Sequence, residues 1–428
     1  MTAYQSPRLL LILLMFLLLP NVVFAQDETT PVFAAIRAHQ LVISTGEGAD
    51  TVVDTSAGSS VVNLNWSPDG HTLAFVLANG ANEVSLWTTD DAGSPPIERV
   101  PAMLQSTFVP AFTPEGDILY VSEAAPDANS PTGYRIALNV VTPRAGAAAT
   151  VLGGVPFFAE GGGGSSLPAD WQSASESSAF GTGVSILEWT ESGILHSLSF
   201  TGEGLALFDP QSQQDHMLVP VGDSSSQPER HINQAQLSPD ESTVAAVLDT
   251  YRDSGVSTSL VLLDLATGSL TEVETVEPPR HLAWANDGTL FYSARVPAGD
   301  LLEGRSASER QAFDAATGGS GMSVGAWEVH LRHLNPATGE DALVYRVSGY
   351  EAVRLQVAPD NSLWFSLVAN MDAWVDAIIN GALAPGQAFE ESQRALVPVR
   401  LYRLDTTAGG DAEQVAENAH QFSLRPAA

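Results

Sequence analysis

The sequence predicts an all-β fold, a single β-propeller of four-stranded antiparallel blades. Three observations predict it: a five-residue turn motif recurs along the chain, four short strand patterns follow in the same order within a repeat, and the two chain ends complement each other as pieces of one blade. We expect seven blades. Six is the alternative if the C-terminal segment is only a tail.

The turn motif first occurs as WSPDG and recurs as FTPEG, WTESG, LSPDE, WANDG and VAPDN, beginning at residues 66, 112, 189, 237, 284 and 357. Three spacings lie near 47 residues, and the two longer ones contain insertions. A period of about 40 to 50 residues is typical of a propeller blade. Proline sets φ, Asp or Asn accepts backbone hydrogen bonds and Gly supplies a left-handed residue. The pentamer is therefore interpreted as the turn between the first and second strands of a blade.

Four strand patterns follow one another around the first pentamer. VVNLNW alternates, TLAFVLA is a continuous apolar run, EVSLWTT alternates again, and IERVPA is short and polar. A continuous apolar run indicates a strand buried on both faces, and a polar strand suits the outer edge. Only residues 308–316 and 371–383 favour a helix, and both segments lie in insertions.

The two chain ends predict how the ring closes. PVFAAIR, QLVIST and DTVVDT, within residues 31–55, are typical of the second to fourth strands of a blade. QFSLRPA, at 421–427, is typical of a first strand. We expect one propeller domain over 26–428, whose closing blade combines 31–55 with 420–426.

The segment LNWSPDGHTLAFV resembles the repeat of TolB-type propellers, the WD-repeat-like modules also found in the propeller domains of prolyl-oligopeptidase relatives. The resemblance covers roughly residues 30 to 426. It implies the fold and says little about function.

Composition and the N-terminus predict an exported protein. Arg8 precedes an apolar run over 9–20, and Val23 and Ala25 match a signal-peptidase site. Residues 1–25 are therefore interpreted as a signal peptide, with an uncleaved membrane anchor as the alternative. We expect a periplasmic or extracellular location, no integral membrane segment in the mature chain, and a monomer.

Charge and cysteine content exclude several functional classes. The 428 residues contain 50 Asp and Glu against 18 Lys and Arg, a net charge of −32. This balance argues against nucleic acid and anionic membranes as partners. The absence of cysteine excludes disulfides, thiolate nucleophiles and cysteine-ligated metals.

The long insertions predict one decorated face. Segments 123–133, 249–258, 295–325 and 369–397 each follow a second strand, and 155–183 joins two blades. Strand alternation places all five opposite the pentamer turns, on what we call the insertion face. Loops on a rigid scaffold commonly bind ligands, and Trp and Arg are frequent interface residues. Alternatively, the loops fold over one another and the tryptophans fill them. The candidate binding residues are Trp171, Asp249, Tyr251, Arg252, Asp253, Arg305, Arg310, Trp327, Asp372 and Trp374.

Catalytic and metal motifs are weak. GMSVG at 321–325 matches G-x-S-x-G, but a glycine-rich loop precedes it and a strand pattern follows, unlike a nucleophile elbow. The nine histidines are scattered, so we assign no catalytic or metal residue and expect no cofactor. The one exception considered is Ca²⁺ at the carboxylate-rich segment LDTYRDSG, 248–255.

These features favour a non-enzymatic exported propeller that binds a protein, peptide or glycan through the insertion face. One alternative is an enzyme, such as a lyase, lactonase or glycan hydrolase, with acidic residues at the channel mouth. Another is an envelope structural module of the TolB kind.

Overall fold

The computed structural model of the chain describes residues 32–37, 40–45, 50–55, 59–79, 83–103, 109–126, 134–144, 146–156, 187–190, 192–197, 205–219, 229–252, 255–317, 324–382, 396–407 and 410–426.

Strands dominate these residues. They are β1 (Phe33–Arg37), β2 (Gln40–Ser44), β3 (Asp50–Val53), β4 (Ser59–Trp66), β5 (Thr72–Asn79), β6 (Glu83–Asp90), β7 (Ile97–Met103), β8 (Ala111–Phe112), β9 (Ile118–Pro126), β10 (Tyr134–Val141), β11 (Thr150–Pro156), β12 (Leu187–Thr190), β13 (Gly193–Ser197), β14 (Leu205–Asp209), β15 (Gln214–Val219), β16 (Glu229–Leu237), β17 (Thr243–Arg252), β18 (Gly255–Asp264), β19 (Leu270–Val273), β20 (Pro279–Trp284), β21 (Leu290–Asp300), β22 (Gly325–Asn335), β23 (Glu340–Ser348), β24 (Glu351–Val357), β25 (Leu363–Val368), β26 (Val399–Leu404), β27 (Glu413–Glu417) and β28 (Ala419–Leu424). Two helices are described, α1 (Ala307–Thr317) and α2 (Asp372–Ile379).

The strands form seven four-stranded antiparallel sheets arranged as the blades of a propeller, as predicted. Blades 1 to 6 are consecutive quartets from β4–β7 to β24–β27, and blade 7 has the order β28-β1-β2-β3. The C-terminal strand is thus the innermost strand of a blade whose other three strands come from the N-terminal end. The four strands predicted around the first pentamer fall within β4 to β7.

The pentamer is the turn between the first two strands of a blade. In blade 1 the Ser67 N–H donates to the Thr72 carbonyl at 2.7 Å, and Gly70 has φ +70°. The Asp69 carboxylate accepts from the Ser67 hydroxyl at 2.6 Å and from the His71 N–H at 3.0 Å. Every turn donor near the aspartate is satisfied, which agrees with the structural interpretation of the motif.

The core lies between blades. Side chains of blade 7 and blade 1 pack into one buried cluster in which Phe75 and Trp66 meet Ile43 and Leu41. Because each sheet buries both faces against its neighbours, the second strands read as continuous apolar runs. The described parts of insertions 295–325 and 369–397 follow second strands as predicted, and both predicted helices occur within them. They lie at the strand ends opposite the pentamer turns.

Candidate functional site

Blade 4 carries a three-stranded projection on the insertion face. Segment 249–258 was predicted to be a loop insertion, but β17 runs to Arg252 and β18 resumes at Gly255. The two strands pair without interruption from Thr243 with Asp264 to Arg252 with Gly255. The inner strand follows them outward, since Glu229 pairs with Tyr251. The described part of the segment is therefore an extension of the sheet.

Asp249 holds this projection together. Its carboxylate accepts a hydrogen bond from the Asn233 side-chain amide at 2.5 Å and another from the Thr258 hydroxyl at 2.5 Å. The residue is only 7% exposed, and its two partners come from the strands on either side. Asn233 occupies a register shift in β16, where the extra residue can turn its amide toward Asp249. Calcium binding at this segment stays a prediction.

The tip of the projection presents apolar and basic side chains to solvent. Tyr251 and Val256 are directly opposite each other in the β17–β18 pairing and are 39% and 55% exposed. Arg230 and Arg252 are also exposed there. The outer strand β19 pairs only with Leu260–Leu263 of β18. Among the described residues, no strand covers the outer edge of β18 from 255 to 259.

The two helices form a second structure on this face, a cap over blades 5 and 6. Trp374 of α2 is 2% exposed and meets Phe313 of α1 edge to face, with ring centroids 5.7 Å apart. Arg305, just before α1, pairs with Asp376 of α2 at 2.5 Å. Trp374 therefore fills the interior of the cap, as in the alternative interpretation of the tryptophans. Arg310 and Asp372 are exposed on the cap.

The other predicted binding residues do not join these two structures. Trp327 lies in β22, where its ring stacks under the Arg295 guanidinium at 4.3 Å. Its backbone N–H donates to the side-chain oxygen of Asn370 at 3.1 Å. Trp171 and Asp253 lie outside the described residues, as do most of 155–183 and the serine of GMSVG. The binding roles of all ten residues stay predictions.

The central channel supplies a feature that the sequence analysis missed. In the inner strands of blades 1, 4, 5 and 6, the residues one and three positions before the pentamer lie on the same strand face, and Ser423 and Gln421 hold the equivalent positions in blade 7. The residue between them is buried between blades, as for Leu64, Leu282 and Phe422. At each of these two positions the side chain is polar in five blades. The polar residues one position before the turn form the mouth ring: Asn65, Glu188, Gln236, Gln356 and Ser423. Those three positions before it form the inner ring: Asn63, Gln234, His281, Arg354 and Gln421.

Several ring residues bind the neighbouring blade. Gln234 of blade 4 accepts a hydrogen bond from the Leu282 N–H of blade 5 at 2.6 Å. Gln356 of blade 6 accepts from the Leu424 N–H of blade 7 at 2.9 Å. These amides hold the ring together, so much of the polar lining is structural.

The mouth ring borders a cavity of about 720 Å³ at the pentamer face. Glu188 is the one charged member of this ring. Its side chain is exposed to the cavity, whose walls partly desolvate the carboxylate. This desolvation, with the negative charge of Glu241, raises the pKa of Glu188 to about 7, and a hydrogen bond from the Leu237 N–H opposes the rise. A carboxyl group with such a pKa can exchange a proton near neutral pH.

Within the described residues there is no group of three or more His, Asp or Glu side chains placed to hold a metal ion. The helices in that part of the chain are also too short or too polar to span a bilayer.

Comparisons with known proteins identify no family for this chain. No family model matches the sequence, and no curated protein matches it. Among solved structures, TolB from Acinetobacter baumannii is 12% identical over 91% of this chain and 79% of its own, with a TM-score of 0.42. A putative 6-phosphogluconolactonase from Bacteroides uniformis is 12% identical over 92% and 97%, with a TM-score of 0.49.

The periplasmic gluconolactonase of Pseudomonas aeruginosa is 12% identical over 92% of this chain and 99% of its own, with a TM-score of 0.47. By its seven four-stranded sheets this chain is a seven-bladed β-propeller.

Proposed function

We propose that this propeller is a binding module that takes an extended peptide segment of a protein partner on its insertion face, at the blade 4 projection. The observation that carries the proposal is the outer edge of β18 from Gly255 to Ser259, which extends beyond β19 and which no strand of the described residues covers. An open strand edge presents backbone donors and acceptors that an added strand can pair with.

Side chains next to this edge suit a peptide. Tyr251 and Val256 offer apolar contact on the sheet surface, and tyrosine is frequent at the energetic centre of protein interfaces. Arg230 and Arg252 add positive charge to a chain whose net charge is −32. The preferred segment is therefore extended, with an apolar residue flanked by an acidic one.

A peptide library displayed on phage tests this proposal. Selection is carried out against the wild-type chain, and the enriched peptides are titrated against Tyr251→Asp/Val256→Asp. The matched control is Met217→Asp, which alters a side chain of similar exposure on the outer strand of blade 3. We expect at least tenfold weaker binding to the double variant and unchanged binding to the control. If no peptide is enriched and the chain binds to a glycan array, the ligand is a glycan and not a peptide.

A second candidate function is acid–base catalysis in the channel, and Glu188 favours it. Its pKa near 7 suits a general acid, and Glu241 supplies a second carboxylate nearby. A lyase, lactonase or glycan hydrolase activity is then expected to fall at least a hundredfold in Glu188→Gln. A screen of glycan and lactone substrates tests this candidate. Turnover that is equal in the variant and the wild type would argue against it.

Export is proposed on the sequence alone. Cleavage after Ala25 would release residues 26–428 as a monomer into the periplasm or the extracellular medium. N-terminal sequencing of the secreted chain tests the cleavage site, and a chain that begins before residue 25 in the membrane fraction would indicate an anchor instead.

A further inference from the structure

The inner ring of the channel contains one permanently charged side chain, Arg354 of β24. Gln356, two residues after Arg354 in the same strand, borders the cavity at the pentamer face. Alternate residues of a strand share a face, and the buried Leu355 between them faces the neighbouring blade. Arg354 therefore lies one level deeper in the channel than the cavity rim.

Arg354 has no anionic partner among the described residues. Its Nη1 donates to the side-chain oxygen of Gln421 in blade 7 at 2.8 Å, and the guanidinium lies 5.8 Å from the Phe422 ring centroid. Three other buried or partly buried arginines differ in this respect, whereas Arg99 and Arg295 also form no ion pair within the described residues. Arg332, Arg403 and Arg425 each meet a carboxylate at 2.8 to 2.9 Å.

Arg354 is partly buried, and the protein around it desolvates the guanidinium, which makes the lack of a counter-ion costly. Desolvation lowers the pKa of Arg354 to about 10, which leaves the group charged at neutral pH. A desolvated charge without a counter-ion destabilises the folded state. One amide oxygen satisfies only one of five guanidinium N–H donors. An anion entering the channel would supply the missing charge and acceptors.

We propose that the channel binds a small organic monocarboxylate, with the Arg354 guanidinium as its principal partner. The planar guanidinium fork matches a carboxylate through two parallel hydrogen bonds. His281, at the corresponding position of the neighbouring blade 5, lies at the same level of the channel. The cavity of about 720 Å³ is lined by Leu355 and Gln356, which directly follow Arg354 in β24, and it is large enough for such a ligand.

Charge at the mouth favours a monocarboxylate over a phosphate. Glu188 borders the cavity and Glu241 stands beside it. A dianion passing this mouth meets like charge, and so it is repelled more strongly than a monoanion. The site is independent of the peptide site, which lies on the opposite face.

Saturation-transfer NMR with propionate at constant ionic strength tests the site, with inorganic phosphate as the comparison anion. We expect saturable propionate binding to the wild-type chain and at least tenfold weaker binding to Arg354→Gln. Arg354→Lys keeps the charge without the fork and should bind at least threefold more weakly. The matched control is Arg346→Gln, an exposed arginine on β23, which should bind propionate as the wild type does.

Thermal unfolding without ligand separates a binding role from a structural one. If Arg354 is kept for a ligand, Arg354→Gln removes an uncompensated charge and raises the Tm by about 1–3 °C. Equal propionate binding by the wild type and Arg354→Gln would overturn the proposal. If Arg354→Gln does not fold, Arg354→Lys decides the test. Propionate binding by Arg354→Lys that is equal to that of the wild type would then overturn the proposal. Tighter binding of phosphate than of propionate would overturn the assignment of the ligand class.

Discussion

The indole Nε1 of Trp66 donates a hydrogen bond to the backbone carbonyl of Ser423 at 3.2 Å. This contact joins the first pentamer to the last strand of the chain. Trp284 makes the equivalent contact to the Gln236 carbonyl at 3.0 Å, between blades 5 and 4. In both cases the indole of a pentamer tryptophan donates to the backbone carbonyl of the mouth-ring residue in the preceding blade. The motif thus carries an inter-blade contact as well as a turn.

Trp66→Phe is expected to destabilise the folded protein by about 1–3 kcal/mol, because it removes the buried hydrogen bond to the Ser423 carbonyl and reduces the ring volume. Equilibrium urea unfolding measures this change. Trp87→Phe is the control, since its Nε1 bonds only to the Ser85 hydroxyl two residues away in the same strand. An equal loss in both variants would mean that the ring-closing hydrogen bond contributes nothing of its own.

Glu241→Gly is expected to stabilise the protein by about 0.5–1 kcal/mol. Glu241 has φ +56° at the turn position that Gly70 and Gly288 occupy elsewhere, and a side chain in this region is strained. Glu241→Gln keeps the strain and removes the charge, so it separates the two effects. Asn361, at φ +64°, belongs to a residue type that tolerates this conformation, and Asn361→Gly should change stability little. A gain in Glu241→Gln equal to that in Glu241→Gly would assign the effect to charge.

Stability should fall as the pH rises between about 4.5 and 7 because of Glu188. Its pKa rises from 4.5 to about 7 on folding, so in this window the folded chain keeps a proton that the unfolded chain releases. Glu188→Gln removes this loss. The Tm of the variant, measured relative to the wild type, is expected to increase from pH 4.5 to 7.5 and then stay level. Glu413→Gln on the outer strand β27 is the control, and a pH-independent Tm difference for Glu188→Gln would contradict the raised pKa.

Trp374→Ala is expected to open the cap while leaving the seven blades folded. The substitution removes a buried ring that contacts Phe313, at a cost of about 3–5 kcal/mol, and cooperative local units can open separately. Hydrogen exchange should accelerate in α1 and α2 and stay unchanged in β4 to β7. Acceleration throughout the blades would show that the cap is part of the global folding unit.

The fold could be predicted because the propeller repeats short-range signals. The pentamer marks each first turn, strand alternation marks the faces, and QFSLRPA reads as the missing first strand of the closing blade. Residues 308–316 and 371–383 were also predicted as the segments that favour a helix, and α1 and α2 lie there.

The details of the candidate sites could not be predicted because they depend on distant partners. Asp249 looked like a loop carboxylate until Asn233 and Thr258 came beside it from adjacent strands. Trp374 is buried by Phe313 from another insertion. The polar rings were present in the alternation of the inner strands, but their meaning required knowing that seven such strands line one channel.

The central claim is that a peptide partner adds to the open edge of the blade 4 projection. Hydrogen exchange of the backbone amides, measured with and without a selected peptide, tests it most directly. We predict slower exchange in β18 from Gly255 to Ser259 and no change at the pentamer turns. Protection confined to the channel strands or the pentamer turns, with 255–259 unchanged, would contradict the claim.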